Sequence, residues 1–232
     1  MPVRAGSKGL PGKNLRLIEG KPLFRLAVEQ GLRVADECVV STDIPEILHA
    51  VMPERCRVLP RCPEIAADDA PMESVIKDII EHEGFDEEIL VLLQATSPLR
   101  LDEDVERVIL CHEQGGGDLV MTVTLADVGI LKYGMLRDGK FLPISRPEFC
   151  FTNRQSLPPV YRPNGAVYAF TAAAFRSNGG FPRQRIAAVE MPAERSRDID
   201  TLEDFAAVCQ TLRQRGRPIH QSRPERPIRK AS

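Results

Sequence analysis

No apolar run in the 232 residues approaches the roughly 20 needed to span a membrane, and no signal-peptide core stands at the start. A cytoplasmic protein is the expectation, from its thiols. Six cysteines, at 38, 56, 62, 111, 150 and 209, form no C-x-x-C pair, and Cys56 and Cys62 are too far apart for a zinc knuckle. Buried thiols in a reducing compartment are the expectation. The four histidines form no H-E-x-x-H, and His82 and His112 fall on predicted helices as surface residues. An excess of one charge is missing too: the formal net charge is -2, so no global field points to nucleic acid or a membrane surface. Two familiar phosphate signatures are absent. No Gly-Lys pair precedes Ser or Thr (Asn14 follows Gly12-Lys13), and there is no G-x-G-x-x-G, which argues against a P-loop NTPase and an ordinary dinucleotide-binding protein.

What is present begins at once. The first fourteen residues hold three glycines, Arg4, Ser7, Lys8 and Lys13, with no acid before Glu19. Glycines allow positive φ and close approach, consecutive N–H groups can form an anion nest, and the cations can supply charge-assisted hydrogen bonds. The stretch reads as a loop for a nucleotide's phosphates; a loose basic terminus is the plainer alternative.

A β-α alternation follows. Pro22 opens a helix carrying Leu23, Phe24, Ala27, Val28 and Gly31, residues 38–42 make a strand, and a short helix spans 46–51. Residues 57–59 make another strand, and a helix from Pro71 places Met72, Val75, Ile76, Ile79 and Ile80 on one face. The apolar run 88–93 suits a central parallel strand and ends at Gln94, where open α/β sheets place ligands. Asp102 can cap the next helix, which Gly115 to Gly117 terminate before a strand at 119–124. The fold expected is α/β, a doubly wound and mostly parallel sheet. Residues 126–163 leave this pattern as a lid or dimerisation excursion with a hairpin at 131–144; a disordered insertion is the alternative. Strands at 166–170 and 187–191 and a helix capped by Thr201 and Asp204 complete a domain over 1–212. Residues 213–232 carry seven cations, one acid and no aromatic side chain, and read as a solvated, disordered tail without a platform for stacking on bases.

Four segments together resemble the acylneuraminate cytidylyltransferase family: residues 4–14, Leu93-Gln94-Ala95-Thr96-Ser97-Pro98-Leu99-Arg100, Arg162-Pro163-Asn164-Gly165-Ala166-Val167-Tyr168, and Asp198-Ile199-Asp200-Thr201. Weaker matches lie at 61–68 and 153–158, so the resemblance covers roughly residues 3–210. It implies a Rossmann-like nucleotidyltransferase that moves CMP from CTP to the anomeric hydroxyl of a nonulosonic acid. By this resemblance Arg4, Ser7, Lys8, Lys13 and Asn14 hold the triphosphate, with Lys13 on the reacting phosphate. Arg61 and the loop to Ala70 surround the cytosine. Gln94 meets the sugar or the ribose, and Arg154, Gln155, Arg162, Asn164 and Tyr168 line the sugar pocket, an arginine pairing the sugar's carboxylate. Asp198 and Asp200 bind Mg²⁺, being two apart on an extended segment and so on one side; as a bare pattern, Asp200 capping the next helix reads as well.

The resemblance also implies a homodimer, with no membrane or nucleic-acid partner. Ser156 departs from the family where an acid is common, and Gly180-Phe181 where two aromatics stand, which leaves the sugar open. Asn14 sets the chain apart from the synthetase for the eight-carbon acid, which has proline there. A catalytically silent nucleotide-binding relative and an RNA-associated protein acting through the tail remain as alternatives. The family carries an apolar strand ahead of the loop, and Met1-Pro2-Val3 supplies only its last step, so an upstream start or a truncated chain is expected.

Overall fold

The computed structural model describes residues 1–67 and 69–215. In chain order its strands and helices are β1 (Pro2–Val3), β2 (Leu17–Ile18), β3 (Lys21–Pro22), α1 (Leu23–Val34), β4 (Cys38–Thr42), α2 (Pro45–Leu48), β5 (Cys56–Pro60), α3 (Pro63–Ala66), α4 (Met72–Glu83) and β6 (Ile89–Leu93). Then come α5 (Asp102–Glu113), β7 (Leu119–Ala126), β8 (Gly134–Arg137), β9 (Lys140–Pro143), β10 (Val160–Thr171), α6 (Ala172–Asn178), β11 (Ile186–Glu190) and α7 (Leu202–Gln214).

The α/β sheet is mostly parallel and lies in two sections. One is ordered β1-β4-β5, the other β11-β7-β10-β6. The β1·β4, β4·β5 and β11·β7 pairings are parallel, while β10 runs antiparallel to both β7 and β6. Between the sections stand β1, two residues long, and β6, which pairs with β10 alone among the described strands. The Met1 ammonium is buried and donates to the Val39 carbonyl (2.6 Å), and that burial pushes its pKa down.

Alternation along the strands explains how helices cover both faces. Leu93 on β6 and Val167 and Ala169 on β10 pack with Val105 and Val108 of α5, whereas Leu92 and Phe170 pack with Val75, Ile76, Ile79 and Ile80 of α4. Neighbouring residues point to opposite faces because the side-chain period of a strand is two. Leu59 of β5 joins the same α4 cluster, so this helix ties the two sheet sections together.

Several boundaries differ from the sequence-based expectation. Asp102 is the first residue of α5, not its cap; Leu101 holds the cap position and its N–H donates to Asp104 Oδ2 at 3.0 Å. The excursion ends early, since 160–163 belong to β10, and Leu131 lies in a 3₁₀ turn (Val128–Lys132). A seven-residue α6, capped by Thr171 Oγ1 accepting from the Ala174 N–H, was not anticipated. Arg213 is helical, and Arg215 donates to the Leu99 carbonyl; the remainder of the expected tail, 216–232, lies outside the described residues, as does Asp68. No helix among the described residues is long and apolar enough to cross a membrane.

Candidate active site

The loop leaving β1 is held by its own backbone. The Ala5 N–H donates to Asp43 Oδ1 at the end of β4 (2.8 Å), and the Ser7 N–H turns back to the Ala5 carbonyl (2.8 Å). Gly12, at φ 64°, sets the chain into a 3₁₀ turn (Lys13–Leu15), a left-handed conformation that suits glycine. Asn14 is buried there and donates its amide to the Arg4 carbonyl at 3.0 Å, closing the loop on itself.

A second segment, 198–200, meets this loop from the far end of the chain. Lys13 Nζ donates to the Ile199 carbonyl at 2.7 Å and to Asp200 Oδ1 at 3.0 Å. The Ile199 N–H in turn donates to the Thr96 carbonyl, which anchors the segment just past β6. Gly9 faces the Asp200 backbone so closely that a Cβ on it would overlap the Asp200 carbonyl oxygen. The helix cap beside this segment is filled by Thr201 and Asp204, which exchange the two hydrogen bonds of a capping box, so capping does not occupy the Asp200 carboxylate.

Asp198 is half-buried, and one oxygen, Oδ1, is buried with no hydrogen-bond partner. Burial pushes its pKa up; a bond from Thr96 and the charge of Lys13 oppose this, and the charge of Asp200 adds to it. A buried carboxylate oxygen without a donor costs on the order of 1–3 kcal/mol, and a hard cation is one partner that satisfies it. Among the described residues no cluster of three or more His, Cys, Asp or Glu could hold a metal. The unpartnered Asp198 Oδ1 and the exposed Asp200 carboxylate are two hard oxygen donors, a set that could hold a cation of the kind that completes its shell with phosphates and water.

Loop, segment and strand ends enclose a cavity of about 360 Å³ lined by Pro2, Arg4, Ser7, Lys8, Gly9, Lys13, Asn14, Arg61, Met72, Gln94, Ala95, Thr96 and Asp200. Arg61 is buried, its guanidinium donating to the Ser41 carbonyl (2.7 Å) and hydroxyl (3.2 Å), and burial lowers its pKa. The cavity thus combines cations from the loop and from Arg61 with an exposed carboxylate, a lining suited to a polyanion.

Eight residues expected at the site line this cavity: Arg4, Ser7, Lys8, Lys13, Asn14, Arg61, Gln94 and Asp200. Asp198 sits beside them. Ala70 is half-buried before α4 and outside the lining. Arg154 and Gln155 are exposed on a 3₁₀ turn, Arg154 paired with Asp127 at 2.8 Å. Arg162 is exposed on β10 opposite Thr124. Tyr168 is half-buried against the Phe181 ring, its pKa raised by burial and then by Asp198. Asn164 is buried with its carboxamide engaged inside the protein: Oδ1 accepts from the Thr122 hydroxyl and the Ala166 N–H, and Nδ2 donates to the Ser196 hydroxyl. Residue-by-residue reading missed Gly9, Met72, Ala95 and Thr96, although Gly9 stands in the glycine-spaced loop and Ala95-Thr96 directly follow Gln94.

An α/β sheet with an anion-binding loop after its first strand and a polar rim at the end of β6 defines a nucleotide-binding protein of the open-sheet type. The cytidylyltransferase family model matches residues 1–212, and the chain belongs to that family. It is 32% identical over 214 residues to the N-acylneuraminate cytidylyltransferase of Streptococcus agalactiae serotype V, covering 90% of this chain and 51% of that protein. It is 30% identical over 225 residues to the CMP-N,N'-diacetyllegionaminic acid synthase of Legionella pneumophila, covering 89% of this chain and 91% of that protein. The chain therefore spans about half the length of the streptococcal relative. In fold it is similar to a CMP:2-keto-3-deoxy-manno-octonic acid synthetase complexed with CTP, with a TM-score of 0.67 at 19% identity over 92% of this chain and 97% of that one.

Proposed function

We propose that the protein transfers CMP from CTP to the anomeric hydroxyl of a sialic-acid-like nonulosonic acid and releases pyrophosphate. The observation that carries this reading is the meeting of the cationic loop with the 198–200 segment at one cavity, where Lys13 donates to the Ile199 carbonyl and to the Asp200 carboxylate. In the reaction the sugar's anomeric oxygen forms a bond to the α-phosphorus, the α–β phosphoanhydride bond breaks, and the hydroxyl proton leaves to solvent.

Negative charge accumulates on the triphosphate in the transition state, so fixed cations facing it contribute more than general acid–base groups. Arg4, Lys8 and the loop N–H groups hold the β- and γ-phosphates. Lys13 exchanges its contact with Asp200 for the reacting phosphate. Asn14 acts from behind, fixing the Arg4 carbonyl and with it the loop's curvature. Asp198 and Asp200 would hold a Mg²⁺ ion, which would neutralise phosphate charge. Arg61 and Met72 form the wall nearest the base, and Gln94 faces the sugar acid, which must be held in line for attack.

Arg154 and Arg162, exposed on the excursion and on β10, are the candidates for the sugar's carboxylate, with Gln155 and Tyr168 as its polar and aromatic neighbours. The surface around them carries Leu125, Tyr133, Met135, Leu136, Phe141, Ile144, Phe151 and Tyr161, each at least 44% exposed. So many apolar side chains on one excursion suit a contact between two copies of the chain, and a homodimer is part of the reading. A reducing cytoplasm suits the six free cysteines and the CTP co-substrate.

The test is pyrophosphate release from CTP and Mg²⁺ with a panel of nine-carbon 2-keto acids and the eight-carbon acid. Turnover with at least one nine-carbon acid is expected, and it should fall to background in Asp200→Ala. Release with the eight-carbon acid alone, or tight CTP binding without turnover and indifferent to Asp200→Ala, overturns the reading.

A further inference from the structure

Arg100 is 4% exposed, deeper than any other arginine among the described residues. Its Nε donates to Gln30 Oε1 at 2.8 Å, and its Nη1 donates to two backbone carbonyls at once, Ala166 at 2.6 Å and Gln94 at 3.2 Å. These three bonds end on neutral oxygens. Burial pulls its pKa down to about 10, with the charges of Asp104 and Asp102 opposing the shift. Burying a guanidinium is costly unless its geometry is well satisfied, so a cation here needs a reason beyond packing.

The strand register supplies that reason. The β6–β10 ladder ends at Leu93 paired with Val167, and β10 slips register between Pro163 and Tyr168. Gln94 and Ala166 therefore stand just past the last pair, where the strands part towards the cavity. The Gln94 carbonyl keeps one long backbone bond, from the Ser97 N–H at 3.4 Å, and a single guanidinium nitrogen bridges it to the Ala166 carbonyl, which an ammonium on one flexible stem does less well. On the same turn Gly165, at φ 77°, lies beneath the Gln94 carboxamide; a Cβ there would sit 3.5 Å from Gln94 Oε1.

We infer that Arg100 is a positioning residue for the sugar subsite: it clamps the diverging ends of β6 and β10 and thereby sets the direction of the Gln94 side chain. The clamp rests on the proposed function for the identity of the substrate, but not for its geometry. It acts through Gln94, not on the triphosphate, so its effects are confined to the sugar acid.

Arg100→Lys keeps the charge and loses the fork. In steady-state pyrophosphate release its KM for the sugar acid should rise about tenfold while KM for CTP stays within about twofold, a split that a general loss of structure does not produce. In a Gln94→Ala background the same substitution should change sugar KM by less than about twofold, because the pathway it uses is already gone. An undiminished effect in that background, or equal effects on both substrates, overturns the proposal.

Gln30→Met, remote from the cavity lining, removes the Nε acceptor together with the Gln30 amide bonds to the Arg100 carbonyl (3.1 Å) and Asp102 Oδ1 (3.0 Å), and should raise sugar KM about threefold, which keeps the proposal testable if Arg100→Lys folds poorly; an unchanged sugar KM in Gln30→Met overturns it. Amide hydrogen exchange on the full chain reads the clamp without turnover. Faster exchange confined to residues 94–97 and 164–167 is expected in Arg100→Lys and in Gln30→Met, and unchanged exchange there overturns the clamp even when the wild-type chain turns over. A wild-type chain that fails to release pyrophosphate, with exchange altered as expected, removes the proposed function and leaves the clamp standing.

Discussion

Gly9→Ala isolates the contact between the loop and the Asp198–Asp200 segment. Gly9 is not among the residues in the left-handed region, so alanine meets no conformational obstacle, only the Asp200 carbonyl oxygen and, at 3.3 Å, its carbon. Unbonded heavy atoms involving carbon sit about 3.5–4 Å apart, so relief takes a separation of loop and segment on the order of 1 Å. The Lys13 bonds to Ile199 and Asp200, at 2.7 and 3.0 Å, span the same gap and stretch with it. Overpacking of this kind costs about 1–3 kcal/mol in stability, and a misplacement near 1 Å at a reacting centre costs about a hundredfold in rate. Gly12→Ala is the control. It has nothing within 4 Å of the added methyl, yet its φ is 64°, so it loses about 1 kcal/mol of stability to backbone strain while loop and segment keep their contact. Thermal unfolding and kcat/KM for pyrophosphate release, measured on both variants, should separate them: similar losses in Tm, and a far larger kinetic loss for Gly9→Ala. A Gly9→Ala enzyme within about threefold of wild type would refute the reasoning.

Lys13→Met should lower kcat about 10²–10³-fold, the loss typical of a fixed charge-stabilising donor, with little change in the KM for the sugar; single-turnover pyrophosphate release checks it. Burial raises the folded-state pKa of Asp198 above its unfolded value. The stability linked to its proton is thus fully present below the unfolded pKa, about 3.9, and is lost as pH rises through the folded pKa. Asp198→Asn should therefore flatten the fall in Tm over that window and abolish the extra Tm gained from Mg²⁺ with CTP, both read by calorimetry. Leu136→Glu with Phe151→Glu, at positions 77% and 91% exposed, should leave Tm within a degree or two and shift the proposed homodimer towards monomer in sedimentation at micromolar concentration, since each apolar side chain buried at a contact is worth about 1.5–3 kcal/mol; a wild-type chain that sediments as a monomer overturns the proposed homodimer.

Most of the fold was legible because its signals are local. The apolar run before Gln94, the one-sided α4 and the Thr201–Asp204 cap each depend on residues within a few positions of one another. β10 was read short because its first half, Val160 to Pro163, contains a proline and exposed Tyr and Arg, and pairs with β7 across a register slip that only tertiary structure reveals. The loop side of the cavity was legible for the same local reason, a short glycine-spaced stretch that carries its own cations. The buried setting of Asn164 was not. A carboxamide such as Asn164 suits a ligand and a buried network equally well, and the choice is made by Thr122 and Ser196, more than thirty residues away in either direction. Arg100 stands in the sequence only as the last residue of the Leu93–Arg100 stretch, and its role shows when the carbonyls of Gln94 and Ala166 are seen to converge on it.

The Asn164 cluster bears on the chain segment that carries Asp198 and Asp200. Ser196 receives the Asn164 amide, Arg195 forms a two-pronged pair with Asp104 at 2.7 and 2.9 Å, and the Ile199 N–H reaches the Thr96 carbonyl. Asp104 is 1% exposed and also caps the first turn of α5 through the Leu101 N–H. The approach to the Asp198–Asp200 pair is thus pinned to β10, to α5 and to the end of β6 before it meets Lys13. This explains how an exposed carboxylate, with 71% of the Asp200 side chain accessible, can hold a defined position opposite the loop. A surface ion pair to Lys13 contributes about 1 kcal/mol at most, too little to order the segment alone. The order comes from buried bonds on the preceding five residues, which leaves the Lys13–Asp200 contact weak enough to open for a phosphate.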